Sequence, residues 1–179
     1  SSGSIAPGAT QSGISLSSYT YTSGDQNFKV WTYNPNGTSD ILATNDTALR
    51  SVLKGLSGTY TIGGTTPDYA TITAATTALS SRGLCGNITF NIRDGIYNER
   101  LTVGTVPNQG TNTITFQSQS NDATKVTLAL PTSARVDNGI VYLNGANYVT
   151  INKITVQRTG VPSNTYGYGV EVNNSSQFN

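Results

Sequence analysis

The chain has 179 residues, of which 11% are charged, with a formal net charge of +1 and no His. That length can bury a real core and make one or two domains, while the near-neutral balance excludes an electrostatic footprint for nucleic acid or anionic lipid. The missing His and the single Cys85 exclude a His/Cys zinc site and an intramolecular disulfide framework. Ser, Thr, Asn and Gly dominate, and the apolar residues alternate with β-branched polar ones, which predicts many half-buried strands rather than disorder.

Residues 1–56 read as the last strands of a partial, immunoglobulin-like β-sandwich or as a cap segment on the next domain. Residue 1 is Ser, and Ser1–Gly13 holds no apolar run of the kind a signal peptide or membrane span needs. The expectation is a fragment or processed piece of a larger secreted chain. Short alternating strands are expected at Tyr19–Thr22 and Phe28–Tyr33, separated from the next segment by the turn-rich Asn34–Asp40 and Asn45-Asp46. Ala48–Lys54 fits a short helix or a strand leading into the second part.

Residues 57–179 read as the N-terminal rungs of a right-handed parallel β-helix. A helix is predicted near Tyr69–Ser81, because Ile72, Ala75 and Leu79 fall on one face. Thr71 or Asp68 can cap its start, and Gly83 stops it. Rich in Thr, it is a poor autonomous helix and needs packing, across the open end of the first coil. Then Ile88, Phe90 and Ile92 alternate into Asp94-Gly95, expected as a turn with Gly at positive φ, and Leu101 and Val103 alternate after it. Glu99 and Arg100 are expected as exposed charges, and Cys85 as a small buried residue.

A repeat starts here. Ile88–Ile92, Ile114–Ser118 and Ile140–Asn144 begin 26 residues apart, which predicts parallel pairing of the first with the second and of the second with the third. Second strands are expected at Leu101–Val103, Val126–Leu130 and Tyr148–Ile151, with Gly169–Asn173 opening a fourth rung after the loop Thr159–Tyr166. The inward residues are Ile88, Phe90, Ile92, Ile114, Phe116, Val126, Leu128, Val141, Leu143, Val149, Ile151, Ile154, Val156, Val170 and Val172. Asn144, Asn147, Asn173 and Asn174 are placed at corners.

Residues 60–103 resemble the N-terminal block of pectin methylesterases and, more broadly, the pectin-lyase-like β-helix superfamily. The carrying text is Asp68-Tyr-Ala-Thr-Ile72, then Ile88-Thr-Phe-Asn-Ile-Arg-Asp-Gly95-Ile-Tyr97-Asn-Glu99. Gly58–Gly64 through Cys85–Ile92 is also similar to β-helix modules of large modular surface proteins of Bacteroidota-type bacteria. The resemblance implies a β-helix, a bacterial origin and an extracellular or cell-surface location. It does not extend to esterase chemistry: Tyr166 stands where the family places a Gln, and the family's second Gln, two Asp and Arg would lie past Asn179.

A lyase on this fold would cluster Asp and Glu around Ca²⁺. Asp94, Glu99, Asp122, Asp137 and Glu171 are instead given turn and surface roles. No catalytic residue, metal ligand or cofactor is assigned. Tyr166 and Tyr168, with Tyr142, are the candidate ligand contacts, since exposed aromatics stack on sugar rings. The role expected is a non-catalytic stalk or adhesin module. Its partners are a polysaccharide or glycan, further rungs or domains of the parent chain, or neighbouring subunits. The alternatives are a carbohydrate-active enzyme whose catalytic residues lie beyond residue 179, and a structural spacer or filament subunit.

Overall fold

A computed structural model of the chain describes residues 18–20, 24–31, 47–131, 139–160 and 168–174, with single positions 9, 12 and 44. The chain divides into two compact units, Ser1–Val52 and Leu53–Asn179. In the first unit, β1 (Gln26–Trp31) pairs antiparallel with β2 (Thr47–Val52). Tyr19 is not in a strand; its ring meets Phe28 edge-on at 5.0 Å and its hydroxyl donates to Gln26 Oε1 at 2.6 Å. Ala48–Val52 is therefore strand rather than helix. The turn segment Asn34–Asp40 lies outside the described residues, as do Tyr21 and Tyr33.

The second unit is a β-solenoid of about four turns with one short helix. Its strands are β3 (Leu56–Ile62), β4 (Leu84–Ile92), β5 (Gly95–Tyr97), β6 (Leu101–Gly104), β7 (Ile114–Ser118), β8 (Val126–Pro131), β9 (Gly139–Asn144), β10 (Val149–Asn152), β11 (Thr155–Thr159) and β12 (Tyr168–Asn173). They form three parallel sheets. Sheet I runs β3, β4, β7, β10; sheet II runs β5, β8, β11; sheet III runs β6, β9, β12. Each complete coil contributes one strand to each sheet, as β4–β5–β6 does.

The inward faces stack into one core. Tyr60, Phe90, Phe116 and Ile151 share a register across sheet I, as do Leu101, Val141 and Val170 across sheet III. Ile88, Phe90, Ile92, Ile114, Phe116, Val126, Leu128, Val141 and Leu143 are buried, and Val149, Ile151, Ile154 and Val156 are half-buried against them. Val170 and Val172 have the inward parity of their strand but are 52% and 39% exposed, because β12 is the last strand of its sheet.

Helix α1 (Ile72–Arg82) stands in place of two strands in the incomplete coil begun by β3, ahead of the three complete coils, and packs on β6 and β3. It buries Ile72, Ala75 and Leu79, as the spacing predicts. Thr71 is the N-cap, its hydroxyl accepting from Ala74 N at 3.0 Å. Asp68 does not cap the helix; its carboxylate accepts from Thr61.

Two expectations need correction. The 26-residue repeat is real only once: β4 pairs with β7, but β7 pairs with β10, from Ile114 to Val149, which is 35 residues. Ile140–Asn144 belongs to sheet III, between β6 and β12, and Gly169–Asn173 closes the third coil rather than opening a new rung. Sheets differ in interval because the corners between strands differ in length. Gly95 does take positive φ, 158°, and starts β5 directly after the bend at Asp94. Cys85 is exposed, because Leu84 takes the inward position beside it.

Candidate functional site

Strand period decides which candidates can act together. On β9 and β12, Tyr142 pairs with Glu171, whereas Tyr168 pairs with Gly139 and shares the parity of Val170. Tyr142 and Tyr168 thus belong to opposite faces of sheet III. Tyr168 is 53% exposed at the end of its sheet. Tyr166 lies outside the described residues.

Tyr142 is the centre of a patch on the outer face of sheet III. The Arg100 guanidinium lies 5.9 Å from its ring centroid, a cation–π distance. Asn173 Nδ2 donates to Tyr142 Oη at 3.4 Å and to Glu171 Oε1 at 3.0 Å. Arg100 is placed by the turn before β6, and Asn173 by the end of β12. The patch offers a ring, a cation, an amide and a carboxylate within one face, a set able to contact sugar rings and hydroxyls. Arg100 is therefore a wall of this patch and not a free surface charge.

The acids are mostly engaged elsewhere. Glu99 Oε2 accepts from Thr73 N at 2.9 Å and Thr73 Oγ1 at 2.7 Å, so it caps the first turn of α1. The sequence carries no acidic residue in that turn, and Glu99 supplies the charge from 26 residues away. Asp68 Oδ2 accepts from Thr61 N at 2.7 Å and Thr61 Oγ1 at 2.8 Å. Asp122 Oδ1 accepts from Thr124 N at 2.9 Å and Thr124 Oγ1 at 2.8 Å. These bonds, the backbone one first in each case, hold the Asp68 and Asp122 carboxyls below their ordinary value. Asp137 lies outside the described residues. No three His, Cys, Asp or Glu side chains group as metal ligands among the described residues.

A pH dependence arises from those two aspartates. Their folded pKa values are depressed, so the stability they confer is present above the unfolded value of about 3.9 and is lost as pH falls through the folded values. The melting temperature of the native chain should fall as the buffer is taken from pH 5 to below 3.5. In the double variant Asp68→Asn, Asp122→Asn the fall should be shallower. Parallel pH profiles for the two proteins would show that other groups control acid sensitivity.

Aromatic burial also builds the corner between sheets I and II. Tyr97 is half-buried, and burial pushes its hydroxyl pKa up. The hydroxyl donates to Arg93 O at 2.8 Å. Arg93 Nη1 donates to Thr65 O, so its side chain lies along the Gly64-Thr65 backbone. Beside it lies a shallow, open cleft lined by Arg93, Asp94, Gln119 and Ser120. Local sequence gives Arg93–Gly95 only a turn role; the cleft becomes visible once the register stacks it on Gln119-Ser120.

No family model, curated protein or solved structure matches the chain. No helix among the described residues is long and apolar enough to cross a membrane.

Proposed function

We propose that the chain is a non-catalytic stalk or adhesin module of the pectin-lyase-like type, carried outside a bacterial cell, whose outer surface contacts a glycan. One observation carries this reading: Asp68, Glu99 and Asp122 are each engaged in holding backbone N–H groups. A lyase or esterase needs carboxylates free to meet substrate, metal or a water. Here these three fasten turns and the helix, which suits a scaffold, and Asp94 stands apart from them with an exposed carboxylate that takes no hydrogen bond from the described residues.

Two further features support the reading. The outer rows of sheet I are uncharged: Thr59, Thr89, Thr115 and Thr150 share one register, and Thr61, Asn91, Gln117 and Asn152 the next. Gln117 Nε2 bonds Asn91 Oδ1 at 2.9 Å across the coils. Such rows stiffen a stalk and present hydroxyls and amides to sugars. The exposed inward-parity Val170 and Val172 suit a module that stacks on another coil or a neighbouring subunit.

Electrophoresis through gels containing soluble neutral polysaccharide tests the proposal. The native chain should be retarded, with no product released from the polymer. Tyr142→Ala should weaken retardation about tenfold, the effect of losing roughly 1.4 kcal/mol of contact. Unretarded migration in every polymer, or cleavage of any of them, would refute the reading.

A further inference from the structure

The corner between sheets I and II is uneven. In the first complete coil it is two residues, Arg93-Asp94, between Ile92 and Gly95. In the next it runs from Gln119 to Lys125, between Ser118 and Val126. In the third it is short again, Lys153-Ile154. The middle corner therefore overhangs its neighbours, and the cleft lined by Arg93, Asp94, Gln119 and Ser120 lies against it.

Both sides of the cleft are fastened. Asp122 closes the overhang through Thr124, and Asn121 N bonds Ser118 O at 3.2 Å. Thr155 Oγ1 ties the overhang to the third coil by donating to Ala123 O at 2.6 Å. Gln119 N bonds Ile92 O at 2.8 Å, Gly95 N bonds Lys125 O at 2.8 Å, and the Ser118 and Ser120 hydroxyls are 3.0 Å apart. The polar groups of the cleft are thus presented on backbone that has little freedom left to lose on binding.

We infer that this cleft is a binding subsite for the hydroxyl groups of a neutral sugar. The lining holds one cation and one anion, Arg93 and Asp94, beside two neutral polar side chains. Asp94 is exposed, and its carboxylate takes no hydrogen bond from the described residues, unlike those of Asp68, Glu99 and Asp122. A carboxylate accepts from two hydroxyls at once, and the Gln119 amide and Ser120 hydroxyl both donate and accept. Adjacent sugar hydroxyls, each a donor and an acceptor, match that set. The inference rests on the glycan-binding reading but assigns a subsite on a different side of the solenoid from Tyr142.

The test is a titration of the isotope-labelled native chain with cellohexaose, mannohexaose and xylohexaose, with hexagalacturonate as the acidic arm, read by NMR. A neutral hexasaccharide should move the Gln119 side-chain amide and the Ser120 backbone amide. Asp94→Ala should weaken that response at least about tenfold, as loss of a charge-assisted hydrogen bond does. Gln119→Ala should also weaken binding, and unchanged signals from Phe90 and Phe116 in both variants would show an intact fold. Tyr142→Ala should leave the response at Ser120 in place. Movement around Tyr142 without movement at Gln119 and Ser120 overturns the subsite and leaves the glycan reading standing. A response to hexagalacturonate alone overturns the neutral-sugar assignment. No response to any oligosaccharide overturns both.

Discussion

Replacing Phe90 by alanine should lower the unfolding free energy by about 3–5 kcal/mol, the range for truncating a buried aromatic in a close-packed core. Phe90 is fully buried, and its ring stacks on Phe116 at 4.9 Å between centroids with 17° between planes. The Tyr69 ring meets it edge-on at 5.9 Å, and Tyr60 lies at 6.1 Å. The deletion therefore opens a void between two coils and removes three aromatic contacts. Stacked strands are hydrogen-bonded above and below, so the backbone cannot collapse to fill it. Phe116→Ala should cost a similar amount. The double variant should cost less than the two single losses added, because the ring pair is removed once. Urea denaturation monitored by circular dichroism gives all three values; a loss below about 1 kcal/mol for Phe90→Ala, under the range for such truncations, would mean that the ring column does not organise the core.

That column shows what the sequence makes legible. Ile88, Phe90 and Ile92 alternate strictly, and alternation with β-branched neighbours is a local signal that survives without any knowledge of partners. The same holds for α1, where Ile72, Ala75 and Leu79 define one face and Thr71 and Gly83 supply its ends. Register between coils is different in kind. It depends on corner length, and corners between the described strands run from two residues at Arg93-Asp94, through Gln119–Lys125, to the longer Thr105–Thr113 segment. A fixed 26-residue spacing therefore aligns β4 with β7 correctly and then steps onto β9, which lies in another sheet.

Site chemistry is less legible for the same reason. Glu99 reads locally as a surface charge, yet the first coil carries it to the N-terminus of α1. Tyr142 and Tyr168 read as one aromatic set, but their pairing partners place them on opposite faces. Asp94 and Gln119 are 25 positions apart and meet only because one coil stacks on the next. Each of these is a non-local juxtaposition, and none leaves a periodic trace in the chain.

Gly83→Ala should be the most damaging of the glycine substitutions, with a loss of roughly 2–5 kcal/mol, the sum of backbone strain and overpacking. Two costs combine at this position. Gly83 has φ 68°, where an L-residue with a Cβ is strained by about 1–2 kcal/mol. An added Cβ would also press on the Pro107 carbonyl, lying 2.9 Å from its carbon, and overpacking of this kind costs about 1–3 kcal/mol. Neither side can yield easily. Gly83 N caps α1 through Leu79 O at 2.9 Å, and Gly83 O accepts from Leu56 N at 2.8 Å at the start of β3. The Pro107 carbonyl is itself held by Leu84 N at 3.0 Å. Two comparisons separate the costs. Gly110 has φ 55° and nothing within 4 Å of an added Cβ, so Gly110→Ala should cost only the strain. Gly104 has neither a positive φ nor a contact closer than 3.7 Å, so Gly104→Ala should be near neutral. Thermal and urea denaturation of the three variants should rank them Gly83, Gly110, Gly104 in decreasing damage. If Gly83→Ala is no worse than Gly110→Ala, the junction of helix, β3 and Pro107 has room to move, and α1 is not a fixed cap on the first coil.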